Sequence, residues 1–304
     1  MHRLSIVAIA LAACALQPAQ AAGSDAPAVV TILEGSATVI RGTSKLGAAE
    51  GVRLQPNDLI ETEKDTYAQL EYADGTRLDL GPTTRLQLNY PSEVSGDRPA
   101  LYLLSGWIKL SLPQAKGSRA AAFSSVVFDG IDLGGVVLVH IDARGGALFV
   151  EQGKARLANR HGKPFAVPPL NSDDFVSVTK DGHTTRDARP SKEFVDQMPR
   201  AFRDSIPSRL ARYREHEVAP RALGEFSYAE VEPWINAEVA VRRQFVHAWR
   251  TRADDPAFRL ELTGKLSLHP EWGPVLFPEL YAPKPAAEMM GPPWPLPQPG
   301  PAPR

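Results

Sequence analysis

One cysteine, Cys14, occurs in the 304 residues. It lies so near the amino terminus that no internal disulfide can tie the folded chain together. Charge of one sign is also lacking. The formal net charge is -1, without the basic excess on one face that nucleic-acid binding needs, so no nucleic-acid partner is expected. After the first residues no apolar run approaches the roughly eighteen residues of a membrane-spanning helix, so the mature chain is expected to have no transmembrane helix. Zinc-type spacing is missing as well. Beyond His2 the histidines are His140, His161, His183, His216, His247 and His269, none three to five residues from another and none with a cysteine to join it. No glycine loop leads into a helix as a phosphate cradle does. Ser105-Gly106 and Ser124-Ser125 lack the strand-to-helix elbow of a nucleophilic serine. Asp58, Asp74, Asp79, Asp173 and Asp174 could supply a carboxylate pair for glycoside hydrolysis, but Asp58 and Asp74 suit turns and Asp79 the polar, solvent-facing phase of a strand. The expectation is no catalytic residue, no metal site and no cofactor: not an enzyme, with a carbohydrate-active enzyme as a distant alternative.

Turn formers are plentiful, with 28 prolines and 23 glycines, and they favour many short elements over long helices. The length suits two domains. Residues 1–21 read as a signal peptide: His2-Arg3 is a positive start, Leu4 to Leu16 an apolar run too short to span a bilayer, and Pro18-Ala19-Gln20-Ala21 a break followed by small residues. Cleavage near Ala21 implies a periplasmic or secreted protein. The same stretch supports a second reading, since Leu11-Ala12-Ala13-Cys14 resembles a lipoprotein box in which Cys14 is the lipidation site and the anchor.

From Val29 the chain has β patterning, interrupted by Gly35 as at a bulge or close backbone approach. Pro56-Asn57-Asp58 has turn chemistry. The hairpin beyond it fixes its own register. A two-residue Asp74-Gly75 loop mixes buried and solvated faces, whereas a three-residue loop, Ala73-Asp74-Gly75, sets Tyr72 opposite Thr76, Leu70 opposite Leu78 and Ala68 opposite Leu80. Gly75 is then the left-handed residue of a bulged turn. Leu101 to Leu112 is apolar on both phases and is expected in the middle of the β domain. Phe123–Phe128, Val136–Ile141 and Ala147–Val150 read as short strands separated by Asp129-Gly130, Gly134-Gly135 and Gly145-Gly146.

Two pairs of segments suggest an internal repeat: Leu33-Glu34-Gly35-Ser36-Ala37 with Val150 to Ala155, and Leu54–Asp65 with Leu170–Asp181. After Asp187 the pattern turns helical. Phe194, Met198, Phe202, Ile206, Leu210 and Tyr213 form a stripe that Pro199 and Pro207 must break into pieces. Ser227 to Glu230 is a capping box opening a helix expected to run to about Arg252, and Asp255-Pro256 starts another. His269–Pro278 reads as an extended strap. Arg200, Arg203, Arg209, Arg212, Arg214, Arg242, Arg243, Arg250 and Arg252 make either a solvated face or one that meets anionic lipid or polysaccharide. Trp272 and Trp294 could engage a partner groove or belong to an inert spacer. The tail from Pro283, ending PPWPLPQPGPAPR, reads as disordered or polyproline II.

Glu34-Gly35, Gln55-Pro56-Asn57-Asp58, Ile60 and Thr62, Tyr67 to Leu70, Asp74-Gly75-Thr76, Leu78 to Leu80 and Pro82-Thr83-Thr84 together resemble a FecR-type domain in its stand-alone exported form. The likeness covers Val29 to Leu112 and extends loosely to Gly182. It implies an all-β, repeat-containing fold in the envelope of a Gram-negative bacterium. Regulators of that family relay a receptor signal to a cytoplasmic sigma factor across a membrane, whereas this sequence is read without a cytoplasmic segment. The expected fold is mainly β: a short-stranded, two-lobed repeat β domain, solenoid-like or sandwich-like, at 29–187 (lobes 29–112 and 113–187), then a small α-helical unit at 191–282 and a Pro-rich tail at 283–304. The expected function is non-enzymatic binding or scaffolding of an envelope protein or glycan. The alternative is an accessory of envelope signalling acting with a separate membrane protein.

Overall fold

The computed structural model of the chain describes residues 28–90, 100–113, 121–160 and 168–281. Cys14, Ala21, His161, Trp294 and the tail from Pro283 lie outside them. The first module contains β1 (Val29–Glu34), β2 (Ala37–Arg41), β3 (Ser44–Gly47), β4 (Leu59–Thr62), β5 (Tyr67–Glu71), β6 (Arg77–Leu80) and β7 (Arg85–Tyr90). There follow β8 (Ala100–Ser111), β9 (Ala121–Ser125), β10 (Phe128–Asp142), β11 (Gly145–Asn159), β12 (Leu170–Asn171), β13 (Phe175–Thr179) and β14 (Thr184–Asp187), and much later β15 (Arg221–Glu225). All belong to one hydrogen-bonded sheet, in the order β14-β13-β11-β10-β9-β8-β7-β4-β2-β3-β15 with β1, β5, β6 and β12 attached off this path. The fold is mainly β with a smaller helical region.

The sheet doubles over on one interior, giving a sandwich. β8 is shared between its layers. Leu101 and Leu103 face the interior before Gly106, and Ile108 and Leu110 after it, so the inward phase changes from odd to even at that glycine. Gly106 has φ +102°, and a Cβ there would lie 2.4 Å from Thr84 Cα. The first half of β8 pairs with β7 and, in parallel, with β9, and the second half with β6 and β10. A strand that changes layer at a sharp bend is how orthogonal sandwiches turn their corners.

Beyond Phe123 the strands are long where short ones are expected: β10 and β11 are 15 residues each. Gly134-Gly135 does not end a strand. It sits inside β10, with Gly135 paired to Gly153 of β11, so a glycine pair read as punctuation lies within one paired strand, between two irregularities of register.

In the β5–β6 hairpin Ala68 faces Leu80 and Leu70 faces Leu78. The Tyr72 N–H is donated to Thr76 O at 2.9 Å and the Gly75 N–H to Tyr72 O at 3.0 Å, the pairing of a three-residue loop. The segments read as a repeat share one turn. Asn57 and Asp173 are left-handed, at φ 67° and 73°. Their N–H groups are donated to Leu88 O and Val150 O, and the Leu88 and Val150 N–H groups return to Asp58 O and Asp174 O. Asp58 accepts from the Gln55 N–H at 2.8 Å and pairs with Arg41; Asp174 accepts from the Asn171 N–H at 2.7 Å and pairs with Arg186. The likeness stops there. Arg41 comes from β2, ahead of its turn, and Arg186 from β14, beyond its turn, and Gly35 joins two strands whereas Gly153 lies within one.

Two segments cover the sandwich's outer faces. Residues 191–214, termed the strap, hold α1 (Lys192–Gln197) and 3-10 turns at Arg200–Arg203 and Leu210–Tyr213, divided by Pro199 and Pro207. The strap lies over Ile32, Tyr67, Trp107, Leu138 and Phe175. The other face, with Ile40, Leu59 and Tyr102, is covered by the helical unit. That unit contains α2 (Tyr228–Ile235), α3 (Val239–Ala248), α4 (Pro256–Gly264), α5 (Gly273–Leu276) and α6 (Pro278–Tyr281). The Glu230 carboxylate accepts the Ser227 N–H at 2.8 Å, and Asp255 accepts the Phe258 N–H at 2.9 Å. The single helix expected to Arg252 is instead α2 and α3, broken at Asn236, and His269–Pro278 is helical turns rather than an extended strap. Trp272 is buried among Trp234, Trp249 and Phe258, which removes it as a ligand for a partner groove. Among the described residues no helix is long and apolar enough to cross a membrane.

Candidate functional site at the seam

The residues singled out from sequence do not converge. Gly35 has φ +96° and approaches Thr66, Gly75 has φ +89°, and Asp74 accepts the Thr76 N–H at 2.8 Å; these shape separate turns, as Asp58 and Asp174 do. Asp79 departs from the solvent-facing role expected of it. It is buried, accepts hydrogen bonds from the Tyr67 hydroxyl and the Gln69 amide at 2.9 Å each, and is raised above the usual carboxylate range by burial. Among the described residues no group of three or more His, Cys, Asp or Glu is placed to hold a metal. His140 stacks on Trp107 at 4.1 Å, His269 is buried beside the Tyr228 hydroxyl at 3.1 Å, and His183, His216 and His247 are exposed. The nine arginines form no single face. Five lie on the strap and four in the helical unit, where Arg252 is buried over the Phe226 and Phe258 rings and Arg242 pairs with Glu271.

What the fold leaves open lies around the β10–β11 turn, where Asp142 accepts the Arg144 N–H at 2.8 Å. Burial pushes the Asp142 carboxyl up, but the Arg144 amide and guanidinium outweigh it and hold the carboxyl below its ordinary value. On one side of the turn is a groove of about 370 Å³. His140, Phe175 and Phe194 line it, and Arg144 bridges its rim to Glu193 at 2.7 Å. Burial holds the His140 imidazole below its ordinary value.

On the other side a wider cleft of about 530 Å³ lies on the seam between sandwich and helical unit. Leu104, Val126, Val127 and Pro233 give it apolar walls, Arg85 and Lys180 supply positive charge and Asp142 a carboxylate. The seam is fastened beside it. Glu61 accepts the Trp234 indole N–H at 2.7 Å and pairs with Arg85 at 3.5 Å, and Gln87 and Gln244 exchange hydrogen bonds. Burial raises the Glu61 carboxyl. Clefts between packed units, apolar with a few charged groups, are the usual form of a binding site. Sequence patterning could not reach this one, because its walls come from β7 and β8, from the turn before β10, from the β10–β11 and β13–β14 turns and from Pro233 of α2.

No protein-family model matches the chain, and no curated protein matches it. Among solved structures it is similar to two crystal structures, at 2.50 and 1.65 Å, of a "putative anti-sigma factor" from Parabacteroides distasonis ATCC 8503. Each likeness has 16% identity and a TM-score of 0.37, and covers 45% of this chain and 62% of the other. The chain thus spans less than two thirds of those proteins' length.

Proposed function

We propose that this protein is a non-enzymatic binding module of the bacterial cell envelope that takes an envelope protein or glycan at the seam cleft. One observation carries the reading: the chain's own segments cover both outer faces of the sandwich, while the seam keeps an apolar cleft with Arg85 and Lys180 beside it. With both faces covered at rest, the seams and edges are what the module first presents to other molecules. A photo-crosslinking residue at Lys180 should capture one specific envelope component in cells, and the same residue at exposed Glu215 should not. Capture of a membrane regulator would assign the module to signalling, capture of peptidoglycan or polysaccharide to scaffolding, and equal labelling from both positions would overturn the cleft. Export with cleavage near Ala21 is part of the proposal, so Cys14→Ser should leave membrane fractionation unchanged; loss of membrane association would assign a lipid anchor.

A further inference from the structure

The two coverings of the sandwich are built differently. Beneath the helical unit the sheet presents Ile40, Leu59 and Tyr102 to a cluster with three tryptophans, an apolar contact that would be costly to expose. Beneath the strap much of the sheet face is polar: Gln69, Glu71, Asp79 and Lys109 are all buried there. This face reads the strap's backbone. Lys109 Nζ donates to Phe202 O at 2.7 Å and the Arg77 guanidinium to Ile206 O at 2.5 Å, while Glu71 accepts the Arg209 N–H at 2.8 Å and the Ser208 hydroxyl. Two side chains anchor the strap. Phe194 packs on Trp107 at 4.9 Å and Phe175 at 5.1 Å, and Phe202 meets Tyr67 edge-on at 6.4 Å. Backbone hydrogen bonds with a few side-chain pockets are how protein surfaces bind extended peptides.

The polar part of this face tolerates uncovering; the apolar part, Ile32, Trp107, Leu138 and Phe175, is what the strap's phenylalanines, or those of a segment that replaces it, must cover. With the strap lifted, Asp79 keeps Tyr67 and Gln69, Lys109 keeps Glu151 at 2.9 Å, and Glu71 regains water, so no charge is left stranded in an apolar setting. The strap holds only a six-residue helix and two 3-10 turns between prolines, little internal structure to lose. The strap itself is basic, with Lys192 and five arginines against Glu193, Asp196 and Asp204.

We infer that this sheet face is a polypeptide-recognition surface which the strap occupies in cis, and that a segment of another protein with the same pattern displaces it. That pattern is basic and broken by proline, with two phenylalanines eight residues apart and a hydroxyl six residues beyond the second. The surface is separate from the seam cleft and stands or falls independently of it.

The experiment uses the full chain and a fluorescent peptide copying residues 191–214. The Phe194→Ala/Phe202→Ala chain should bind the peptide at least about tenfold more tightly than the unaltered chain, because a weakened cis segment competes less. Adding Glu71→Gln should remove the gain. Binding that is equal in all three chains would overturn the inference, as would self-association of the double variant without peptide binding, which would assign the face to a second copy. Hydrogen exchange on the unaltered chain keeps the question open to test if the double variant misfolds. Strap amides should exchange at least about a hundredfold faster than those of α2 and α4, as a locally opening segment does; equal protection would make the strap a permanent part of the fold.

Discussion

Gly135 of β10 and Gly153 of β11 are cross-strand partners, and a Cβ on either would come within 2.2 Å of a carbonyl oxygen of the facing strand. Both have positive φ, at 86° and 93°. Gly135→Ala should therefore lower stability by roughly 3 kcal/mol, since backbone strain and overlap act together. Gly153→Ala should do the same, and the pair of substitutions should cost less than the sum because one bend is broken twice. Denaturant midpoints of the three variants check this.

Gly75 separates strain from overlap. It too has positive φ, but a Cβ there would have only Pro113 Cβ nearby, at 3.9 Å. Gly75→Val should cost about 1–2 kcal/mol from conformation alone, and Gly75→Asn should recover most of it because Asn tolerates the left-handed region. Equal melting temperatures for the Val and unaltered chains would refute the turn assignment.

The twin turns make a matched pair. Asp58 is buried and holds both Arg41 and the Gln55 N–H, so Asp58→Ala should cost about 2–3 kcal/mol by emptying a buried carboxylate site and releasing the charge-assisted hydrogen bonds to both partners. Asp174 holds the same kinds of partner nearer the solvent, and Asp174→Ala should cost nearer 1 kcal/mol. Thermal unfolding of the two variants side by side measures what burial adds to one motif.

Acid should loosen the helical unit through His269. Burial holds its imidazole below the ordinary value, so the unfolded chain takes up a proton first. Stability is full above the unfolded value near 6.5 and falls as pH drops through the folded one, with a slope of at most about 1.4 kcal/mol per pH unit for one proton. Asp79 and Glu61, raised by burial, act in the opposite sense at lower pH, where their protonation relieves a folded-state cost. His269→Phe should flatten the fall below about pH 6.5, read by fluorescence of Trp234, Trp249 and Trp272; an unchanged profile would place the sensitivity elsewhere.

The β5–β6 register was legible because inward Leu70 and Leu78 admit only one loop length, and the broken strap was legible because Pro199 and Pro207 cannot sit in one helix. Three features were not. Gly134-Gly135 looks like a turn until its partner Gly153 is known, and that pairing is set by tertiary structure. Asp79 and Glu71 occupy a solvent-type phase in their strands, yet a segment more than 100 residues later covers them. The seam cleft has no signature, since Leu104, Val126 and Pro233 each satisfy an ordinary local pattern.

The ends of the sheet path are β14, Thr184–Asp187, and β15, Arg221–Glu225. One is a four-residue strand ending in Arg186-Asp187; the other carries charge at both ends and an irregularity at Gly224. Neither offers the long, flat, apolar edge on which a further strand can grow. Along this path the sheet therefore closes both of its ends, and such a module can be kept at high local concentration without stacking through β14 or β15 into fibres.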